Sequence, residues 1–527
     1  MLNKNRSMFL AAILAIVMVL TACGGNANHA GNGSADDAPA ADNAQETTDN
    51  GAASNEGGSD TSEEVNLKMI FVGPKPVDYD AVFEEVNKKL KEKINATIEG
   101  EFLDWSDWAQ KYPMILAANE EFDLIYAANW AGYNDQALKG GFLELTEEML
   151  STYAPMTWEA MPSVSWDQAK VQGKLYMVPQ NSGESVEKII LYREDLRKKY
   201  NLPELNSPEA YATYLKTVAQ NEKGIMPFTP ETGDWKYHNL DRILLKQQNE
   251  WNMFDLDLPF AFKLKDEKGQ VFNVYETQEF KDLAVYYKDL ADHNAWSKNV
   301  LNSKNDHQQD FRQGKTASIT HNTGTTGSLM EQMRRENSPY EVAVADINAG
   351  KAKSIAISTQ NGTAIHATSK HPERALMLID LMQNDREIHD LMMYGIEGVH
   401  YEPVGDDKFK ATDKSANYTG FSNWSFNSPL NRDNEAFPKE VSDMVAGFES
   451  NVYHYPLETF VFDNSKVKTE IASVGNVMLR YAIPLEYGLV KDIDQGIAEL
   501  NKQLKAAGVE KIQAELQAQI DAFLANQ

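Results

Sequence analysis

Apolar and polar residues alternate at Leu67, Met69 and Phe71, the period of a half-buried strand, and Gly73-Pro74 closes it. Tyr79, Val82, Phe83, Val86 and Leu90 then recur at helical spacing, with Asp78 placed to cap the helix. Thr97 to Leu103 predicts a second strand and Met114 to Ala118 a second helix. Phe122-Asp123-Leu124-Ile125-Tyr126-Ala127 predicts a buried third strand. Strand and helix in alternation predict a parallel sheet, in which ligands sit beyond the carboxyl ends of the strands. The loop after the third strand begins Ala128-Asn129-Trp130, so an amide and an indole are carried to that edge. Near the C-terminus, Ile493, Ile497, Leu500 and Leu504 form one apolar stripe and Gly508 stops it. Val509, Ile512, Leu516, Ile520 and Phe523 form a second stripe, which predicts a helical hairpin docked on the body.

The N-terminal pattern is different. Lys4 and Arg6 precede an unbroken apolar run from Phe9 to Leu20. As a helix that run spans about 18 Å, short of the roughly 30 Å hydrocarbon core, so residues 1–22 read as a signal peptide. Leu20-Thr21-Ala22-Cys23 resembles the lipobox of bacterial lipoproteins. That resemblance implies diacylglyceride on the Cys23 sulfur, cleavage before it, and a place on the outer face of the cell membrane. Residues 24–64 lack Lys and Arg and hold hardly any large apolar side chain. Such a composition buries too little apolar surface to order itself, so 23–64 is expected to be a lipidated, disordered, acidic tether.

The formal net charge of −28 argues against nucleic acid and anionic lipid as partners. Cys23 is the only cysteine, so no disulfide forms within the chain. No later segment approaches 18 apolar residues, which leaves the lipid as the contact with the membrane.

"GKLYMVPQ" (173–180) and "ILYREDLRKKYNLPE" (190–204) are followed by a helix start near Ser207-Pro208. With "FRQGKTASITHNTG" (311–324) and "NGTAIHATSKHPERALMLIDLM" (361–382), these segments resemble the family 1 extracellular solute-binding proteins. "YGIEGVHYE" (394–402) and the tail resemble a subgroup of that family with a C-terminal extension of the DUF3502 kind. The resemblance implies an α/β, two-lobed periplasmic-binding-protein-like fold of class II type, with two or more interlobe crossovers and a helical C-terminal extension. The first lobe would hold 65–182 plus 358–395, and the second 183–357 plus 396–527. It further implies a monomeric receptor that hands a sugar or oligosaccharide to an ABC permease and, through it, to ATPase subunits, with no cofactor.

Enzyme signatures are missing. Gly314-Lys315-Thr316 ends like a phosphate loop, but position 309, where that loop needs Gly, is Gln. No His-Glu-x-x-His or Gly-x-Ser-x-Gly occurs, and the ten histidines show no metal-ligand spacing, so neither a metal nor a catalytic residue is expected. Asp104, Asp107 and Glu397 remain as carboxylates for a glycosidase or lyase, the alternative reading. A peptide receptor is a third. Sugars offer C–H faces to aromatic rings and hydroxyl rims to neutral or anionic side chains. Loops that pair both types are Asn129-Trp130, Asp234-Trp235-Lys236-Tyr237, His321-Asn322-Thr323 and Asn423-Trp424. Asn361 and Tyr394, from the segments that carry the resemblance, and Glu397, in a glycine-bracketed loop, complete the candidate ligand-binding set. Trp158, Trp166 and Trp296 read as core.

Overall fold

The computed structural model describes residues 61–118, 120–182, 187–231, 240–254, 258–303, 305–354 and 358–526. Cys23, the signal peptide, most of the tether and Trp235 lie outside them. The elements used below are, in chain order, β1 (Val65–Val72), α1 (Tyr79–Ile94), β2 (Ala96–Leu103), α2 (Trp108–Ala118), β3 (Leu124–Ala127), β4 (Val178–Pro179) and β5 (Lys188–Arg193). They continue with α3 (His307–Arg312), β6 (Ser318–Asn322), α4 (Thr323–Arg335), β7 (Val342–Ala345), β8 (Gly362–Ile365), α5 (Pro372–Asn384), α6 (Arg386–Tyr394), α7 (Ile493–Ala506) and α8 (Val509–Leu524).

The first lobe is a five-stranded sheet in the order β2-β1-β3-β8-β4. β1 runs parallel to β2 and β3, with Leu67 opposite Ile98 and Met69 opposite Leu124, while β8 returns antiparallel, with Thr363 between Tyr126 and Val178. The alternation read from Leu67, Met69 and Phe71 gives way after Met69, because Ile70 and Val72 are buried as well. A central strand covered on both faces loses its polar alternation. α1 buries Tyr79, Val82, Phe83, Val86 and Leu90, as its spacing predicts. Asp78 does not cap it. Its carboxylate accepts instead from Asn417 Nδ2 at 3.0 Å and meets His400 Nε2 at 3.2 Å. Residues 61 and 64, read from the sequence as the end of the tether, contact α1 and the residue after it: Asn95 Nδ2 donates to the Thr61 carbonyl at 2.9 Å, and Lys91 pairs with Glu64 at 2.7 Å.

The second lobe is built on the antiparallel sheet β6-β5-β7, with Asn322 opposite Lys188 and Ala345 opposite Ile190. α7 and α8 pack into the same core. Leu500, Leu504, Val509, Ile512, Leu516 and Ile520 are buried there, and Gly508 makes the turn at φ +94°.

The chain passes from β4 to β5 and back into β8. It then passes out a third time, because Tyr418, Phe421 and Phe426 belong to the first core whereas Phe437 and Val441 pack against β6 and α4 residues Ile319, Leu329 and Met330. The sequence reading groups 396–427 with the second lobe. The backbone explains the difference: Val72 N donates to Ser422 Oγ at 3.0 Å and Ser422 N to the Val72 carbonyl at 2.8 Å. Gly73 has φ +112°, and a Cβ there would lie 2.3 Å from the Gly420 carbonyl, so only glycine lets this segment close over the end of β1.

Candidate functional site

At the carboxyl end of β3 the chain enters a short 3-10 turn, Asn129–Ala131, closed by Gly132. Asn129 serves the turn itself, accepting from Trp130 N through Oδ1 at 2.8 Å. Trp130 Nε1 donates to the Gln360 carbonyl at 2.8 Å, which ties the turn to the segment leading into β8. Its ring stands edge-on to Trp108 at 5.5 Å and tilted to Tyr126 at 5.7 Å. Trp105 stacks on Trp424 at 5.9 Å with 11° between planes, and meets Trp108 edge-on at 6.3 Å. Five rings (Trp105, Trp108, Tyr126, Trp130 and Trp424) thus form one continuous wall, with Trp105 left 38 % exposed.

A polar seam runs behind the wall. Trp424 Nε1 donates to Tyr126 OH at 3.3 Å, Tyr126 OH to Asn361 Oδ1 at 2.6 Å, and Asn361 Nδ2 to Gln180 Oε1 at 3.0 Å. Asn427 Nδ2 reaches the same Gln180 oxygen at 3.5 Å. Gln180 is buried and its Nε2 has no hydrogen-bond partner. Gln180, Asn361 and Asn427 stand at the first-lobe ends of the three crossings, and backbone bonds hold them: Gln180 N to the Asn361 carbonyl at 3.0 Å and Asn181 N to the Asn427 carbonyl at 2.8 Å.

In the second lobe, His321 and Asn322 end β6 opposite Lys188, the first residue of β5 after the first crossing. Asn322 Oδ1 caps α4 by accepting from Thr325 N at 2.8 Å. His321 Nδ1 accepts from Asn322 N at 2.9 Å, which fixes the proton of the neutral ring on Nε2. Removal from water pushes the His321 pKa down to about 3, and burial lowers that of His307 as well, so both rings are neutral at physiological pH. Glu231 Oε1 lies 4.0 Å from His321 Nε2.

The remaining candidates make their contacts elsewhere. Tyr394 OH accepts from Arg432 N at 2.6 Å, its ring packs on Phe409 at 4.8 Å, and burial raises its pKa to about 12. Glu397 is exposed, in a turn bridged to Tyr401. Trp166 and Trp296 are core, and Trp158 packs on Trp166 at 5.1 Å. Trp105, Trp108, Tyr126, Gln180 and Asn427 belong to the wall and seam but are absent from the candidate set. "DWSDW" carries the right chemistry for Trp105, yet it reads equally as the start of an amphipathic helix. Asp104, beside the wall, accepts from Ser106 N at 2.9 Å, and hydrogen bonds from Ser106 hold its carboxyl below the usual range.

Two α/β lobes joined by repeated crossings, with an aromatic and amide cluster at those crossings, define the class of extracytoplasmic solute receptors. The chain belongs to the bacterial extracellular solute-binding protein family, whose model matches residues 73–387, and residues 456–525 match a domain of unknown function, DUF3502. A carbohydrate ABC transporter substrate-binding protein of Streptococcus pneumoniae is 23% identical over 482 residues, covering 89% of this chain and 93% of that protein. The polygalacturonan/rhamnogalacturonan-binding protein YtcQ of Bacillus subtilis is 31% identical over 152 residues, covering 27% of this chain and 30% of that protein. Among solved structures, the N-glycan transport solute-binding protein NgtS of Streptococcus pneumoniae, in complex with Man1GlcNAc, superposes with a TM-score of 0.72 at 23% identity, covering 88% of this chain and all of that one.

Proposed function

We propose that this protein is a lipid-anchored receptor that captures a sugar or oligosaccharide between its lobes and presents it to an ABC permease. The observation that carries the reading is the wall of five aromatic rings backed by the neutral amide seam of Gln180, Asn361 and Asn427. Stacked indoles offer apolar faces to pyranose C–H groups, and amides donate to and accept from hydroxyls without charge. The relatives' names point to the same ligand class. His321 and Asn322 would contribute from the second lobe, and Trp235 from the loop the sequence singles out.

In this reading the receptor does no chemistry on its ligand. Asp104, the carboxylate beside Trp105, is held ionised and is poorly suited to protonate a leaving group. The anchor rests on the lipobox at Cys23, and two acyl chains on one diacylglyceride suit stable attachment. Among the described residues no helix is long and apolar enough to cross a membrane. The receptor acts as a monomer.

The experiment is a thermal-shift screen against plant, microbial and N-glycan oligosaccharides, with each mixture assayed for new reducing ends. At a hundredfold excess over Kd, binding adds about 2.7 kcal/mol and raises Tm by a few degrees. A shift with intact sugar supports the receptor. Released reducing ends overturn it in favour of a glycosidase or lyase, and a shift with peptides alone moves the ligand class to peptides.

A further inference from the structure

The second lobe contains a cluster of which the sugar reading uses only His321 and leaves Glu231 and His307 without a role. Glu231, His307 at the first turn of α3, and His321 near the end of β6 each offer one ligand atom, and those atoms lie within 4.8 Å of one another. The two imidazole planes are nearly parallel, 5° apart, with centroids 5.7 Å apart. His307 is only 6 % exposed, and its Nε2 is buried without a hydrogen-bond partner, so the desolvation of that nitrogen is left uncompensated. The 4.0 Å between His321 Nε2 and Glu231 Oε1 is too long for a direct hydrogen bond. Two imidazole nitrogens and one carboxylate oxygen gathered at this spacing, on a pair of rings one of which carries a buried unpartnered nitrogen, are a donor set that borderline divalent ions take.

We propose that Glu231, His307 and His321 form a binding site for a first-row divalent transition ion, zinc being the probe of choice. Ligand atoms around a tetrahedral ion at about 2.0–2.1 Å stand about 3.4 Å apart, so binding draws the three groups together by roughly an ångström and ties the Glu231 segment and α3 to the end of β6. Two features of the surroundings set its strength. Lys188 is close enough to act on His321 electrostatically, and its charge opposes the cation. Coordination through His321 Nε2 moves the ring proton to Nδ1, which deprives the Asn322 amide of its acceptor. Ion binding is therefore coupled to the position of Asn322, the cap of α4, and the affinity is moderate. Hard ions such as calcium and magnesium, which take all-oxygen ligand sets, do not compete.

The full chain, stripped with a chelator, is titrated with zinc, calcium and magnesium by calorimetry and by competition against a chromophoric chelator. One equivalent of zinc binds in the micromolar range, and calcium and magnesium leave that isotherm unchanged. Glu231→Gln and His307→Ala each weaken zinc by at least about tenfold, the loss expected when one of three ligands goes. Glu231→Gln keeps the side-chain shape and decides the matter if His307→Ala fails to fold. Zinc binding unaltered by Glu231→Gln, or no zinc bound by the wild type at a hundred micromolar, overturns the proposal. Because the readout is the ion alone, failure here leaves the sugar reading untouched, and failure of the sugar screen leaves the ion site untouched.

Discussion

Trp105 and Trp424 stack at 5.9 Å while Trp105 keeps over a third of its surface in water, so part of its indole remains open to a ligand. If a sugar ring covers that surface, Trp105→Ala weakens oligosaccharide binding at least about tenfold, since tenfold corresponds to about 1.4 kcal/mol and aromatic contacts supply that order. Calorimetry on the folded variant measures it. Tyr394→Phe is the contrasting control: it removes the acceptor of Arg432 N, costs about 1 kcal/mol of stability, and leaves sugar affinity unchanged. A second residue predicts a pH effect. Glu486 is buried, and burial followed by the nearby Asp241 charge pushes its pKa up to about 8, opposed by a hydrogen bond from Tyr275 OH at 3.3 Å. A carboxyl whose pKa rises on folding stabilises the native state most below about pH 4.5, and the contribution is lost as pH climbs through about 8. At pH 7 the loss amounts to about 3 kcal/mol. Glu486→Gln should flatten the fall in denaturation midpoint between pH 5 and 8 relative to wild type; parallel profiles would dismiss the effect. The place of Trp130 at a sheet edge was legible because it follows the apolar run of β3 in a polar loop, whereas Trp424 rested on the Asn-Trp pairing alone and Asn361 on the segment that carries the family resemblance. The Glu231–His307–His321 cluster was not legible, because its members lie in three separate segments and no motif spacing links them.

Elements were easier to read than sites wherever one periodicity persisted. The stripes of α7 and α8 and the buried face of α1 appear as the spacing requires. The short return strand β8 and the third crossing were less visible, since four buried residues carry no period and the Val72–Ser422 pairing joins positions far apart in the chain. Asp78 shows the limit of a local rule: its cap position was right, but Asn417 and His400 compete for the carboxylate and win it. Gly508 tests the hairpin as a unit. Its φ of +94° disfavours any side chain, and a Cβ would lie 2.8 Å from Glu470 Cγ. Gly508→Ala should cost about 1–2 kcal/mol from the left-handed backbone alone, because Glu470 is a flexible side chain and can swing aside. The expected drop in Tm is a few degrees in calorimetry, with secondary structure unchanged. A neutral result would mean that the turn rebuilds itself without a left-handed residue.

At the scale of the molecule, the seam gathers the three crossings at one place. Gln180, Asn361 and Asn427 share side-chain and backbone bonds, so the three crossings are tied together where they leave the first lobe. A ligand held by the ring wall on one side and by β6 residues on the other contacts both lobes only when they are closed. Its binding energy then enters as a differential affinity, which shifts the population toward closure. Small-angle scattering during an oligosaccharide titration should show a smaller radius of gyration, saturating with the binding isotherm. Trp105→Ala should move the midpoint of that change to higher sugar concentration without altering its amplitude, because the ring adds affinity and does not define the hinge. Asn361→Ala should do the reverse: loss of the Gln180 and Tyr126 partners loosens that tie, and the amplitude or the ligand-free radius changes. A radius that stays constant across saturation, with binding confirmed in the same sample, would show that this receptor captures sugar without closing, and its permease would then have to recognise the ligand and not the lobe arrangement.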